Sequence, residues 1–92
     1  VRLALDNGAP DPIGYNLCSS ALQRRDGTAW TPVATNEVCT MQLLTLNPGH
    51  DATFEKRLPA NLPAGDYRYL TSVESPLGTP QTGITTDPFR VP

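Results

Sequence analysis

Apolar and polar positions alternate along this 92-residue chain in short bursts, and most bursts end at a proline, a glycine or both. A period of two sends successive side chains to opposite faces, as in a half-buried strand. Leu3 and Leu5 alternate with Arg2, Ala4 and Asp6, which predicts a first strand over Val1–Asp6, stopped by "NGAPDP" (Asn7–Pro12). Ile13, Tyr15 and Leu17 predict a second strand, closing at Cys18. Leu22–Arg25 and Thr28–Thr31 flank Asp26-Gly27, two residues that tolerate the positive φ of a type I′ turn, so they predict a hairpin with Trp30 on its second arm. Val38–Leu46 is the longest apolar stretch, with Cys39, Met41 and Leu43 on one face and Leu44 and Leu46 on the other. Asn47-Pro48-Gly49 turns the chain, and Ala52, Phe54, Lys56 and Leu58 then alternate with Thr53, Glu55 and Arg57. Beyond the corner "PANLPAGD", Tyr67–Val73 predicts a strand, "ESPLGTPQTG" a long loop or distorted hairpin tip, and Ile84–Val91 the closing element. Pro88 marks an edge or a strand start there, because proline cannot donate to a central ladder.

The pattern predicts seven to eight strands and no helix of ordinary length. Many short strands at regular spacing with turn signals read as an all-β sandwich or barrel. Composition agrees, with ten Pro and seven Gly as punctuation. The length is that of a single domain, residues 1–92, with a modest core in which a cross-link matters. The chain begins at Val1 with no leader in front of it and reads as a processed chain, an excised domain or an incomplete one.

"LPAGDYRYL" (Leu62–Leu70) fixes the backbone just before an aromatic strand. In immunoglobulin-like sandwiches a Tyr near the start of the penultimate strand sends its hydroxyl back to the backbone at the crossing between sheets. Leu62, Gly65 and Tyr67 resemble that structural corner, which makes the expected fold an immunoglobulin-like antiparallel β-sandwich. The order Asp6-Asn7, Tyr15, Asp26-Gly27, Trp30, Leu46-Asn47-Pro48-Gly49 and Leu62-Pro63-Ala64-Gly65-Asp66-Tyr67 extends the likeness. It resembles the bacterial immunoglobulin-fold family named after intracellular proteinase inhibitors. The resemblance implies the same sandwich and, by the family's name, an inhibitory activity.

Cys18 and Cys39 lack the CxxC spacing of redox or zinc sites. Three readings remain for them: a disulfide, which is preferred, a pair of buried free thiols, or a catalytic cysteine. A disulfide would close a loop of about 22 residues, stabilise the fold by roughly 3 kcal/mol in the chain-entropy model, and imply an oxidising compartment. The expected location is then extracytoplasmic: periplasmic, cell-surface or secreted.

No catalytic constellation emerges. The one histidine, His50, sits in the turn "NPGHD" beside Asp51 and reads as solvent-exposed. Asp6, Asp11 and Asp66 would have to gather to offer Ca²⁺ its six to eight oxygens, and their spacing is not that of an EF-hand. No metal or other cofactor is expected. Arg24-Arg25 beside Trp30 reads as a solvated face, since the net charge of −2 and the scattered Lys and Arg leave no basic stripe for nucleic acid. No apolar run approaches the roughly 20 residues of a transmembrane helix.

What remains is a non-enzymatic domain that meets another protein through strand edges and stiff loops, as a surface module, filament subunit or accessory subunit. Its first strand, Val1–Asp6, is equally suited to being donated or received. The candidate loops are Asn7–Pro12, with Asn7, Pro10 and Pro12, and Ser75–Gly83, with Pro76, Leu77 and Pro80. Two alternatives stand beside this: a proteinase inhibitor acting through Ser75–Gly83, and a carbohydrate-binding module. A small-molecule substrate is not expected.

Overall fold

A computed structural model describes residues 1–35, 37–40 and 42–92 of the chain. The expected facing of Met41 lies outside the described residues. Among the described residues nine strands follow in order: β1 (Arg2–Asp6), β2 (Ile13–Tyr15), β3 (Ala21–Asp26), β4 (Ala29–Pro32), β5 (Leu44–Leu46), β6 (Asp51–Glu55), β7 (Gly65–Glu74), β8 (Thr82–Thr85) and β9 (Phe89–Val91). They make two antiparallel sheets, a small one of β1 and β6 and a larger one built on β7. The arrangement is an all-β sandwich compatible with an immunoglobulin-like fold.

β7 is the spine. Along one edge it pairs with β3 over Tyr67–Leu70 and then with β2 at Val73 and Glu74. Along the other it pairs with β9 over Gly65–Tyr67 and with β8 over Leu70–Val73. β4 flanks β3, and β5 flanks β2. The period-two pattern of β7 explains its place: Tyr67, Tyr69, Thr71 and Val73 are all buried on one face. Two packed clusters result. Leu3, Leu22, Tyr67 and Tyr69 fill one end, and Leu5, Ile13, Leu17, Leu46 and Val73 fill the other. The Thr71 hydroxyl is hydrogen-bonded to that of Ser20 at 2.6 Å, so burying these two polar groups leaves neither unsatisfied.

Several expectations are corrected. Leu17 does not extend β2. Tyr15 pairs with Val73 and Ala21 with Leu70, so five residues of one strand lie against two of β7. The surplus folds into a 3₁₀ turn, Leu17–Ser19, which keeps Leu17 buried and throws Cys18 outward. The β3–β4 turn sits one residue later than predicted, at Gly27-Thr28, with Asp26 paired to Ala29. Only Gly27 has positive φ there, at 64°, as a type II′ turn requires and a type I′ turn does not. The apolar stretch Val38–Leu46 is not one strand: among its described residues only Leu44–Leu46 joins the sheet, and Val38 is 97% exposed. Trp30 is on the second arm of the hairpin, where the sequence places it. It lies half-buried on β4, with the Arg68 guanidinium 4.3 Å above its ring.

Candidate functional site

The two proline-bearing loops, far apart in sequence, meet at one end of the larger sheet. The Leu77 N–H donates to the Pro12 carbonyl at 2.9 Å. Each loop is also braced internally. Asn7, at the end of β1, is buried, and its amide donates to the carbonyls of Asp11 (3.0 Å) and Leu46 (2.9 Å) while its Oδ1 accepts the Ala9 N–H at 2.9 Å. Asn7 is therefore the internal staple of its loop, and its side chain is not available to a partner. In the second loop the Gly78 N–H donates to Glu74 Oε1 at 2.9 Å, and the Thr79 hydroxyl donates to the Pro76 carbonyl at 2.7 Å.

Pro10, Pro12, Pro76, Leu77 and Pro80 are all exposed. Leu77 and Leu43 lie over Gly14 of β2, so close that a Cβ there would stand 2.8 Å from the first and 2.9 Å from the second. Glycine at this position is what lets both leucines settle on the sheet. Leu44, paired with Tyr15 across the β2–β5 ladder, adds a third exposed leucine at the same end. A groove of about 280 Å³ runs from there past Tyr15, Leu44, Val38 and Phe54.

On the flank of the sandwich Cys18 and Cys39 form a disulfide with Cα atoms 5.8 Å apart. It ties the 3₁₀ turn to the irregular segment that carries Glu37. Lys56, just past β6, is only 3% exposed. Its ammonium donates to the Cys18 carbonyl at 2.6 Å, ion-pairs with the Glu37 carboxylate, and stands 5.5 Å from the centre of the Tyr69 ring. Burial, and secondarily the Glu37 carboxylate, raise the Tyr69 hydroxyl above its ordinary pKa of 10.0. Sequence reading missed this knot. One signal for it was present: Lys56 falls in phase with Ala52 and Leu58, on the face that turns inward.

At the far end of β7 the Tyr67 hydroxyl donates to the Pro63 carbonyl at 2.6 Å, and Leu62 packs against the same cluster. The tyrosine is 0% exposed. Asp66 ion-pairs with Arg90 at this end, away from the loop that holds Asp11, so the three carboxylates considered for calcium are not brought together. Among the described residues no group of three or more His, Cys, Asp or Glu side chains is placed to hold a metal ion, and no helix is long and apolar enough to cross a membrane. No protein-family model, curated protein or solved structure matches the chain.

Proposed function

We propose that this chain is a non-enzymatic interaction domain of an oxidising, extracytoplasmic compartment, and that it captures a partner protein with the end of the sandwich where the two proline-stiffened loops meet. The observation that carries the reading is the Leu77-to-Pro12 hydrogen bond. It makes one surface of two loops and sets Leu77 beside Leu43, on a rigid sheet, facing solvent. Prolines and internal hydrogen bonds reduce the entropy lost when a partner fixes such a surface. Exposed leucines grouped at one end of a small domain are what a contact site provides. The disulfide supports the compartment.

The test is capture from the envelope fraction of the source cells by the chain and by a Leu43→Asp/Leu77→Asp variant. The captured protein should be lost with the variant while the far-ultraviolet circular dichroism stays that of the parent; both side chains are partly packed over Gly14, so some loss of stability is expected but not of the fold. Capture indifferent to the two charges refutes the assignment.

A second reading is proteinase inhibition through Ser75–Gly83, which the resemblance to the inhibitor-named family suggests. The internal bracing of that loop and the exposure of Leu77 favour it. The Leu77 N–H already spent on Pro12 weighs against it, since a loop lying in a protease cleft offers its backbone to the enzyme. Inhibition across a protease panel, lost with Leu77→Ala, would favour this reading over the first. Carbohydrate binding is less supported. Tyr67 and Tyr69 are buried, and Arg68 covers a face of Trp30 that a sugar ring would use.

A further inference from the structure

The small sheet ends in an edge whose charges match a second copy of itself. Val1 and Lys56 exchange both backbone hydrogen bonds, Val1 N–H to Lys56 O at 2.9 Å and Lys56 N–H to Val1 O at 2.7 Å. In an antiparallel ladder hydrogen-bonded pairs recur at every second residue. Leu3 and Leu5 therefore turn their backbone groups to Phe54 and Ala52, and Arg2, Ala4 and Asp6 turn theirs away from β6. Among the described residues β1 pairs with β6 alone, so this outer row is unpaired. The side chains of Arg2, Ala4 and Asp6 are exposed and share the outer face, while Leu3 and Leu5 point into the core.

Edges of this kind are usually blunted against self-pairing, and most of the others here are. β4 ends in Pro32, β9 lies between Pro88 and Pro92, and β5 is three residues long. The free edge of β6 carries Asp51, Thr53 and Glu55; folded antiparallel on itself about Thr53, it would set Asp51 against Glu55 of the other copy, two like charges. β8 has no charge to fix a register. β1 differs. Antiparallel pairing about Ala4 places Arg2 opposite Asp6 of the second copy, and Asp6 opposite its Arg2. Ala4, with no bulk to obstruct the axis, faces Ala4. The arrangement also sets a cation beside the Asp6–Asp51 cross-strand pair, two carboxylates that face each other within one chain.

We propose that two copies of this chain associate through β1, antiparallel and two-fold symmetric about Ala4, joining the small sheets into one four-stranded sheet in the order β6, β1, β1, β6. Such an interface is isologous and closed, so it stops at the dimer. It uses none of the loop surface proposed above, and it is small, so the dimer is weak and forms at high protein concentration.

Sedimentation velocity over a concentration series, at low salt, tests it on the 92-residue chain. The parent should show a mass that rises with concentration toward twice the monomer. Arg2→Asp alone and Asp6→Arg alone should each weaken self-association at least about tenfold, since each puts like charges across the axis twice. An equimolar mixture of the two variants should restore association, because every pair is then opposite in sign, and the double exchange Arg2→Asp/Asp6→Arg should self-associate like the parent. Ala4→Pro, which removes the central outward N–H without touching the β6 ladder, should abolish pairing while leaving the far-ultraviolet circular dichroism unchanged. A parent that stays monomeric throughout, single variants that associate as well as it does, or a folded mixture that fails to recover each overturns the proposal. Leu43→Asp/Leu77→Asp, which disables the loop surface, should leave the dimer intact.

Discussion

Replacing Tyr67 by phenylalanine isolates one hydrogen bond in a setting where everything else is held fixed. The ring stays in place, fully buried, 6.3 Å from the Phe89 ring and within the cluster of Leu3, Leu22 and Tyr69. Only the hydroxyl that donates to the Pro63 carbonyl is removed. Leaving a buried acceptor without its donor costs about 1–3 kcal/mol. Pro63 itself is exposed, so water can reach part of its carbonyl, and the lower half of that range, about 1–2 kcal/mol, is expected here. For a domain of this size each kcal/mol moves the thermal midpoint by about 4–8 °C. In urea, with a denaturant slope of about 1–1.5 kcal/mol per molar for a small protein, the midpoint should fall by roughly 1 M. Trp30, the one tryptophan in the chain, reports the transition by fluorescence, and far-ultraviolet circular dichroism reports it independently. Coincident transitions with an unchanged slope would assign the shift to native-state stability. A midpoint unchanged within about 0.2 M would refute the claim that the hydroxyl satisfies the backbone at this corner.

Replacing both Cys18 and Cys39 by alanine should lower stability by about 3 kcal/mol in a denaturant titration, and alkylation of the untreated protein without reductant should label no thiol. Tyr69 stays neutral in the fold at a pH where it would ionise in the unfolded chain, so its contribution is complete below its ordinary pKa of 10.0 and is lost as pH rises through the higher folded value. Tyr69→Phe should therefore move the alkaline unfolding midpoint upward relative to the parent, read by circular dichroism. The Lys56–Glu37 pair, with its ammonium buried and its carboxylate partly exposed, should respond asymmetrically: Glu37→Gln strands a buried ammonium and should cost about 1–3 kcal/mol, whereas Lys56→Met keeps the bulk and leaves a carboxylate that, at 28% exposure, can turn to water, and should cost less. Equal losses in the two variants, measured by urea denaturation, would sink that account.

Most of the strands could be read in advance because each half-buried strand writes its own alternation, and Leu3, Leu5, Ile13, Tyr67, Tyr69 and Val73 are buried in phase with it. The turns were readable where a proline or a positive-φ glycine forces them, as at Gly49 with φ 77°. The stretch before β5 misleads because its apolar content does not reflect strand pairing. Cys39 is held there by a covalent bond and Leu43 by packing over Gly14, neither of which has a periodicity. The break between β2 and β3 was invisible for a related reason, since five residues set against two is a property of register with β7, fixed by residues some fifty positions later. The loop surface was half legible. Its prolines marked both loops as stiff, but that they touch, and that Asn7 is spent inside one of them, depends on hydrogen bonds between distant segments.

The unequal size of the two sheets gives the molecule two grades of permanence. β7 is bonded along both edges and carries buried side chains from both clusters, so its amides can be released to solvent only when the whole domain comes apart. Among the described residues β1 and β6 pair only with each other. They can separate while the larger sheet survives, and their amide protons should trade with deuterium far sooner than those of Tyr67–Val73. The opening would expose Leu3 and Leu5 and release the bonds between Val1 and Lys56, which leaves the ammonium near the disulfide tethered mainly by Cys18 and Glu37. The edge strand that looks outward for a partner is thus also the one the domain can most readily let go.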